Sequence, residues 1–197
     1  METYILPWTL EGVHLGSDVL EVGPGPGVTT DLLRSRVARL TCVEVDRSLA
    51  DALRLKQPHR NVRVVCEDAT AMSFPDETFD GAVCFTMLHH VPSIAMQDSL
   101  LREVARVLRP GAFFAGTDSL YSRSFRLLHL LDTMVVVDPV TFPARLKAAG
   151  FDDIRVDVMR PYAFRFRARR AGPGGPAQTW RSAPQLTRAG SPARRRP

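Results

Sequence analysis

Three glycines and two prolines fall within seven consecutive residues, Glu21-Val22-Gly23-Pro24-Gly25-Pro26-Gly27. Glycines lack a Cβ, so they permit unusual backbone angles and let a ligand lie directly against the main chain. A tight turn is the plain alternative. The spacing departs from the dinucleotide fingerprint Gly-x-Gly-x-x-Gly, because position 28 is Val. Pro24 and Pro26 also remove two amide donors from the loop that would cradle a pyrophosphate, and no Lys follows to complete a P-loop. A ligand without phosphate suits this turn, and positive charge on it would suit Glu21. Glu44, 21 residues after Gly23, is spaced to accept hydrogen bonds from both hydroxyls of a ribose. Asp46 competes for that role or begins the next helix. Asp68 can meet an adenine amino group, or simply form a turn in Glu67-Asp68-Ala69-Thr70. His89 and His90 supply imidazoles, which titrate near neutrality and can serve as general bases; packing or capping would use them equally well.

These residues must be held by the elements around them, and the chain alternates short apolar runs with helical patterns, the order of a parallel sheet with helices on both faces. Val19 to Val22 reads as the first strand, with a helix over Thr29 to Arg39. Leu40 to Asp46 is the second strand, and Ser48 can cap the helix that Pro58 ends. Asn61 to Glu67 and Phe79 to Thr86 follow as strands, then a long amphipathic helix from Ser93 to Arg109 stopped by Pro110-Gly111. Ala112 to Thr117 is the fifth strand. Helices are expected over Ser122 to Met134 and Pro139 to Ala149. Ile154 to Met159 and Tyr162 to Arg169, separated by Arg160-Pro161, are close enough for an antiparallel hairpin. In the last run Arg165, Arg167 and Arg169 alternate with Phe164, Phe166 and Ala168, which predicts a solvated basic face of the sheet. Glu21, Glu44, Asp68 and the two histidines all lie at or after strand ends, where an open parallel sheet binds its ligands.

Composition narrows the classes. The 197 residues are 45% apolar, enough for one domain with a sizeable core. Ten of the 26 Lys and Arg residues lie between Arg160 and Pro197, which holds no acidic residue. The remaining 16 stand against 21 acidic residues, so the body is net −5 despite the overall +5. That balance argues against nucleic acid as the partner of the body. Residues 172–197 contain four Gly and five Pro and few aliphatic side chains, which predicts a disordered tail from residue 171. Cys42, Cys66 and Cys84 show neither Cys-x-x-Cys spacing nor an even count, and read as reduced thiols packed in strands. The longest aliphatic run, Met134 to Val137, is far too short for a membrane span, and the N-terminus lacks a basic signal region. A cytoplasmic protein is expected.

With these residues in place, the sequence resembles the class I S-adenosylmethionine-dependent methyltransferases over roughly residues 15–170. Glu21 to Gly27 looks like the family's first motif, Val43-Glu44-Val45-Asp46 like its ribose-binding acidic position, and Cys66-Glu67-Asp68-Ala69 like its adenine-side motif. Phe74 to Asp80, Met87 to Val91 and Glu103 to Gly111 look like the segments that follow in the small-molecule branch, which includes the quinone-biosynthesis C-methyltransferases. The resemblance implies a Rossmann-like, doubly wound α/β domain over residues 19–170. Its sheet has seven strands in the order 3-2-1-4-5-7-6 with the last antiparallel. Residues 1–18 then form a short, partial lid.

The same resemblance implies S-adenosyl-L-methionine as cofactor. Gly23, Gly25 and Gly27 would pass its methionine part, Glu44 would hold the ribose, Asp68 and Ala69 would flank the adenine, and Thr86 would edge the methyl group. The acceptor is expected to be small and hydrophobic, taken up beside an apolar segment over residues 125–134. Two rivals are weighed. Val43 to Ala50 also looks like the rRNA adenine dimethylases, but Phe85-Thr86-Met87-Leu88-His89-His90 lacks their Asn-x-Pro-Tyr motif, which argues against a stacked base. A non-catalytic cofactor-binding or partner-binding module is the other.

Overall fold

Strands β1 (Asp18–Val22), β2 (Arg39–Glu44) and β4 (Phe79–Phe85) are buried almost residue for residue on both faces, as central strands of a parallel sheet must be. The computed structural model describes residues 2–57, 60–120 and 134–172. Adding β3 (Val62–Cys66), β5 (Leu108–Ser119), β6 (Phe151–Met159) and β7 (Ala163–Arg170) makes one sheet of order β3-β2-β1-β4-β5-β7-β6. β1 to β5 run parallel, while β7 is antiparallel to both β5 and β6. The expected seven-stranded order is therefore the observed one. The strand order reverses at β1, between β2 and β4, which opens a crevice at the carboxyl ends of these strands.

Helices α1 (Glu2–Thr9), α2 (Val28–Leu33) and α3 (Arg47–Lys56) cover one face, where Leu6, Leu33 and Leu53 pack with Val19, Leu40 and Val83. Helices α4 (Ile94–Val107) and α5 (Phe142–Ala148) cover the other with Leu101, Val104 and Leu146. There Phe114, Phe142, Phe164 and Phe166 interlock edge to face, with centroids 5.0 to 5.9 Å apart. Each such pair contributes about 0.5–1.5 kcal/mol beyond the area it buries. α4 also pins the loop between β3 and β4: Glu103 accepts the Met72 amide (2.9 Å), and Arg106 donates to the carbonyls of Met72 and Phe74. Among the described residues no helix is long and apolar enough to cross a membrane.

Several boundaries differ from the sequence reading for identifiable reasons. α2 stops at Leu33, because the chain must turn back through residues 34–38 to enter β2. α3 is capped by Asp46, which accepts the Leu49 amide (3.0 Å) and the Ser48 hydroxyl (2.8 Å), so Ser48 supports the cap and does not form it. α4 ends at Val107, and Pro110-Gly111 lies inside a longer β5. Residues 2–9, within the segment expected as a short, partial lid, form a helix. The arginines of β7 are not a solvated face. Arg165 stacks on Trp8 (4.8 Å) and bonds Glu11, Arg167 donates to the Glu11 carbonyl (2.8 Å), and Arg169 stacks on Phe113 (3.9 Å). The N-terminal segment covers Arg165 and Arg167, a contact that local periodicity cannot reveal. All but two residues of the expected tail, and all but the last of the expected helix over 122–134, lie outside the described residues.

Gly116 shows how tightly the sheet meets its cover. A Cβ there would come within 2.2 Å of the Cys84 carbonyl oxygen and 2.7 Å of the Phe166 ring. Neither neighbour can yield without moving β4 or the aromatic cluster. Gly116→Ala is expected to lower stability by about 3 kcal/mol, the upper part of the usual overpacking range, read as a clear fall in the urea midpoint.

Candidate active site

The turn leaving β1 passes Gly23, Gly25 and Gly27 in left-handed conformations, with φ of 63°, 53° and 81°. Their roles differ. A Cβ at Gly23 would meet Met87 at 2.8 Å and one at Gly27 would meet Leu53 at 2.3 Å, so these two let neighbouring side chains close on the turn. A Cβ at Gly25 would meet nothing within 4 Å, so this glycine faces open space. The three amides are spent inside the protein: Gly23 donates to the Val43 carbonyl (2.9 Å), Gly25 to Glu44 Oε2 (3.0 Å) and Gly27 to the Pro24 carbonyl (3.0 Å). With Pro24 and Pro26 lacking amide hydrogens, the turn offers no cradle of donors for a phosphate chain.

Glu44 ends β2 and is 6% exposed. Its Oε2 takes the Gly25 amide and its Oε1 the Asp46 amide (3.0 Å), which fixes the carboxylate beside the turn with lone pairs left on both oxygens. Asp46 is the helix cap, the alternative role that the sequence allowed it. Val28, Val45 and Leu49 are exposed at the starts of α2 and α3, and Val45, next to Glu44, is 69% exposed. An open glycine backbone, an anchored carboxylate acceptor and uncovered apolar side chains are the donor-poor, acceptor-rich surface that a nucleoside without phosphate requires.

Asp68 is exposed after β3 and forms the turn that was the alternative to an adenine contact, its Oδ1 accepting the Thr70 amide (2.8 Å) and its carbonyl the Ala71 amide (3.1 Å). Ala69 is buried in the core behind it. Thr86 follows β4 with φ 50°, a left-handed conformation that costs a β-branched residue about 1–3 kcal/mol, and it is tied by its amide to the Thr117 carbonyl (2.7 Å).

Glu21 departs from expectation. Its carboxylate is not open to a cationic ligand: it is 1% exposed and takes the hydroxyls of Thr29 and Thr30 (2.6 Å for Thr30) and the Cys42 thiol (3.4 Å). Its reach to the rim is therefore indirect, by holding the first turn of α2 onto β1. Burial pushes its pKa up, against the pull of the three donors. A carboxyl whose folded value is raised contributes stability below its unfolded value, and that contribution is lost as pH rises through the folded one. Glu21→Gln removes the titration. The melting temperature of the variant relative to wild type is expected to rise as pH climbs above the ordinary carboxylate range, and a difference that stays flat would remove this account.

His89 lies in a 3-10 turn, Leu88–His90, after β4. It is buried, with Nδ1 2.5 Å from Asp118 Oδ1 and its amide donating to Asp118 Oδ2 (3.1 Å). Asp118, wholly buried near the end of β5, also accepts the Ser119 amide (2.6 Å). Gln97 ties the turn in place by donating to the carbonyls of Leu88 (2.9 Å) and Val135 (2.8 Å). The His90 ring is exposed and tilted against that of His89, with centroids 4.1 Å apart. Asp118 was missed in the sequence because 29 residues separate it from His89. The available signal was an acid directly after the apolar run Ala112 to Ala115 and Gly116-Thr117, near the end of a strand.

A model of the family described as "Methyltransferase domain" matches residues 20–116. The ubiquinone biosynthesis O-methyltransferase of Coxiella burnetii is 30% identical over 105 residues, covering 52% of this chain and 42% of the relative. A stretch of 52 residues is 46% identical to the ribosomal RNA small subunit methyltransferase A of Fusobacterium nucleatum, covering 26% of this chain and 20% of that one. The chain thus spans less than half the length of the curated relatives it matches. Among solved structures, phosphoethanolamine N-methyltransferase 2 of Haemonchus contortus in complex with S-adenosyl-L-methionine shares the fold. Its TM-score is 0.72 at 16% identity, over 87% of this chain and 52% of that one.

Proposed function

Because the chain belongs to the class I S-adenosylmethionine-dependent methyltransferases, we propose that it transfers a methyl group from S-adenosylmethionine to an oxygen or carbon of a small hydrophobic acceptor by in-line displacement. The observation that carries the cofactor is the pairing of Gly25, open to the crevice, with the anchored carboxylate of Glu44. When bound, the cofactor supplies an activated methyl group and a neutral thioether leaving group. Glu44 accepts the ribose hydroxyls on its remaining lone pairs. Gly23, Gly25 and Gly27 line the methionine part, and Asp68, Ala69 and the exposed Val45 bound the adenine. Thr86 sits at the methyl-bearing edge.

Alignment of the acceptor carries most of the acceleration, since proximity and orientation supply roughly 7–11 kcal/mol while a general base adds about 10²- to 10⁴-fold. His89 is the base in this reading, with Asp118 orienting its ring; His90 borders the same turn. Supporting the small, uncharged acceptor are the acidic body and the quinone-biosynthesis relatives. The described cysteines are all free, which suits the cytoplasm. Methylation of RNA draws on the ribosomal relative alone, and the residues after β4 lack the Asn and Tyr that would hold a base.

Isothermal titration with S-adenosylmethionine and S-adenosylhomocysteine, followed by methyl release with a panel of phenols, quinones and fatty acids, tests the proposal. Binding of both compounds and turnover with one acceptor class are expected. A protein that ignores both compounds yet holds a dinucleotide overturns it.

A further inference from the structure

β6 ends the sheet, and among the described residues no strand lies against its outer edge. An edge of nine residues is a template for another strand unless something blunts it. A bulge does so at one end: the register with β7 slips between Asp152 and Arg155, and Asp153 is left-handed at φ 44°. Residues 154–159 remain regular. Along them Val156 and Val158 stand opposite Phe166 and Phe164, whereas Arg155 and Asp157 stand opposite Arg167 and Arg165 on the other face. Val158 and Met159 are 43% and 38% exposed, and Tyr162, beyond them in the hairpin, is 72% exposed.

We infer that β6 is the surface by which two copies of this chain associate, their β6 strands pairing antiparallel about a two-fold axis at Val156. In that register Val156 meets its own counterpart, Arg155 meets Asp157 of the second copy, and Ile154 meets Val158. Symmetry repeats the last two pairs, as an isologous contact requires. Opposite charges and aliphatic pairs directly across an antiparallel ladder are each favourable, and like charges are not. The register is selective. Moving the axis one residue toward the N-terminus sets Arg155 against Arg155, and one residue the other way sets Asp157 against Asp157.

Charge within a single copy points the same way. Arg155, Arg165 and Arg167 lie abreast on β6 and β7, and burial, then Arg155 and Arg165, pull the Arg167 pKa down. Asp157, which already accepts Arg165 Nε on Oδ2 (2.9 Å), keeps a half-exposed carboxylate that the second copy's Arg155 can reach in this register.

Sedimentation velocity of the full chain tests the proposal. The wild type is expected to form a species of twice its 21.9 kDa mass, weakened by salt. Arg155→Asp and Asp157→Arg each set like charges across the axis and are expected to raise the dissociation constant about tenfold or more, where each tenfold is about 1.4 kcal/mol. An equimolar mixture of the two variants restores opposite charges at both positions and is expected to dimerise again, which requires that both be folded. A wild type that stays monomeric up to its solubility limit overturns the proposal. So does a dimer indifferent to both substitutions, or a mixture that stays monomeric although each variant melts cooperatively.

Discussion

Asp118→Asn is expected to lower the methyl-transfer rate by about 10²- to 10⁴-fold, the range that general-base catalysis supplies, with cofactor affinity nearly unchanged. Asp118 is wholly buried, and its two oxygens receive the His89 ring, the His89 amide and the Ser119 amide. A carboxylate accepts only, so Nδ1 carries a proton, and in the neutral ring that the base role requires the lone pair is then on Nε2. An amide at position 118 can donate as well as accept, and the ring is then no longer held in one tautomer. His89→Ala should cost about as much, and the double variant little more than either alone, because the two act as a unit. Asp118 is a positioning residue, so the readouts must separate chemistry from folding. The loss should fall on kcat with KM for the cofactor retained, in a variant that still melts cooperatively and still binds S-adenosylhomocysteine. Full turnover in a folded Asp118→Asn variant would remove the dyad from the mechanism.

Glu44→Ala is expected to weaken S-adenosylmethionine and S-adenosylhomocysteine alike by about 10- to 100-fold, since hydrogen bonds to a charged group contribute about 1.5–3 kcal/mol. Two losses coincide: the acceptor for the ribose disappears, and the amides of Gly25 and Asp46 lose their partner. Glu44→Gln keeps one acceptor oxygen and should fall between alanine and wild type. Equal weakening of both compounds matters, because they differ only in the methyl group and its charge, which lie away from the ribose. Unchanged titration isotherms would take the ribose role from Glu44, and a loss confined to the charged compound would reassign it to the sulfonium.

The sheet was legible because its signals are local. Short Val-rich and Cys-containing runs alternate with amphipathic stretches, and Asp46 and Ser93 each cap the helix that follows, Ser93 accepting the Met96 amide (3.1 Å). Misplaced ends follow from competition that no window of residues contains. α4 surrenders Leu108 and Arg109 because β5 pairs with β4 from Leu108 onward. The site was legible to the same depth. Gly25 and Glu44 could be paired from their spacing, whereas the inward turn of Glu21 depends on Thr29, Thr30 and Cys42 converging from two other elements.

The chain's own order of residues determined the alternation of elements and the donor-poor character of the glycine turn, because each follows from backbone chemistry within a few residues of itself. Tertiary structure alone decided that Asp118 meets His89, that Glu21 is sealed beneath the turn, and that Arg165 and Arg167 of β7 lie under Trp8 and Glu11. Those contacts join elements distant in sequence, and the burial that raises or quenches a charge exists only once the layers have closed on it.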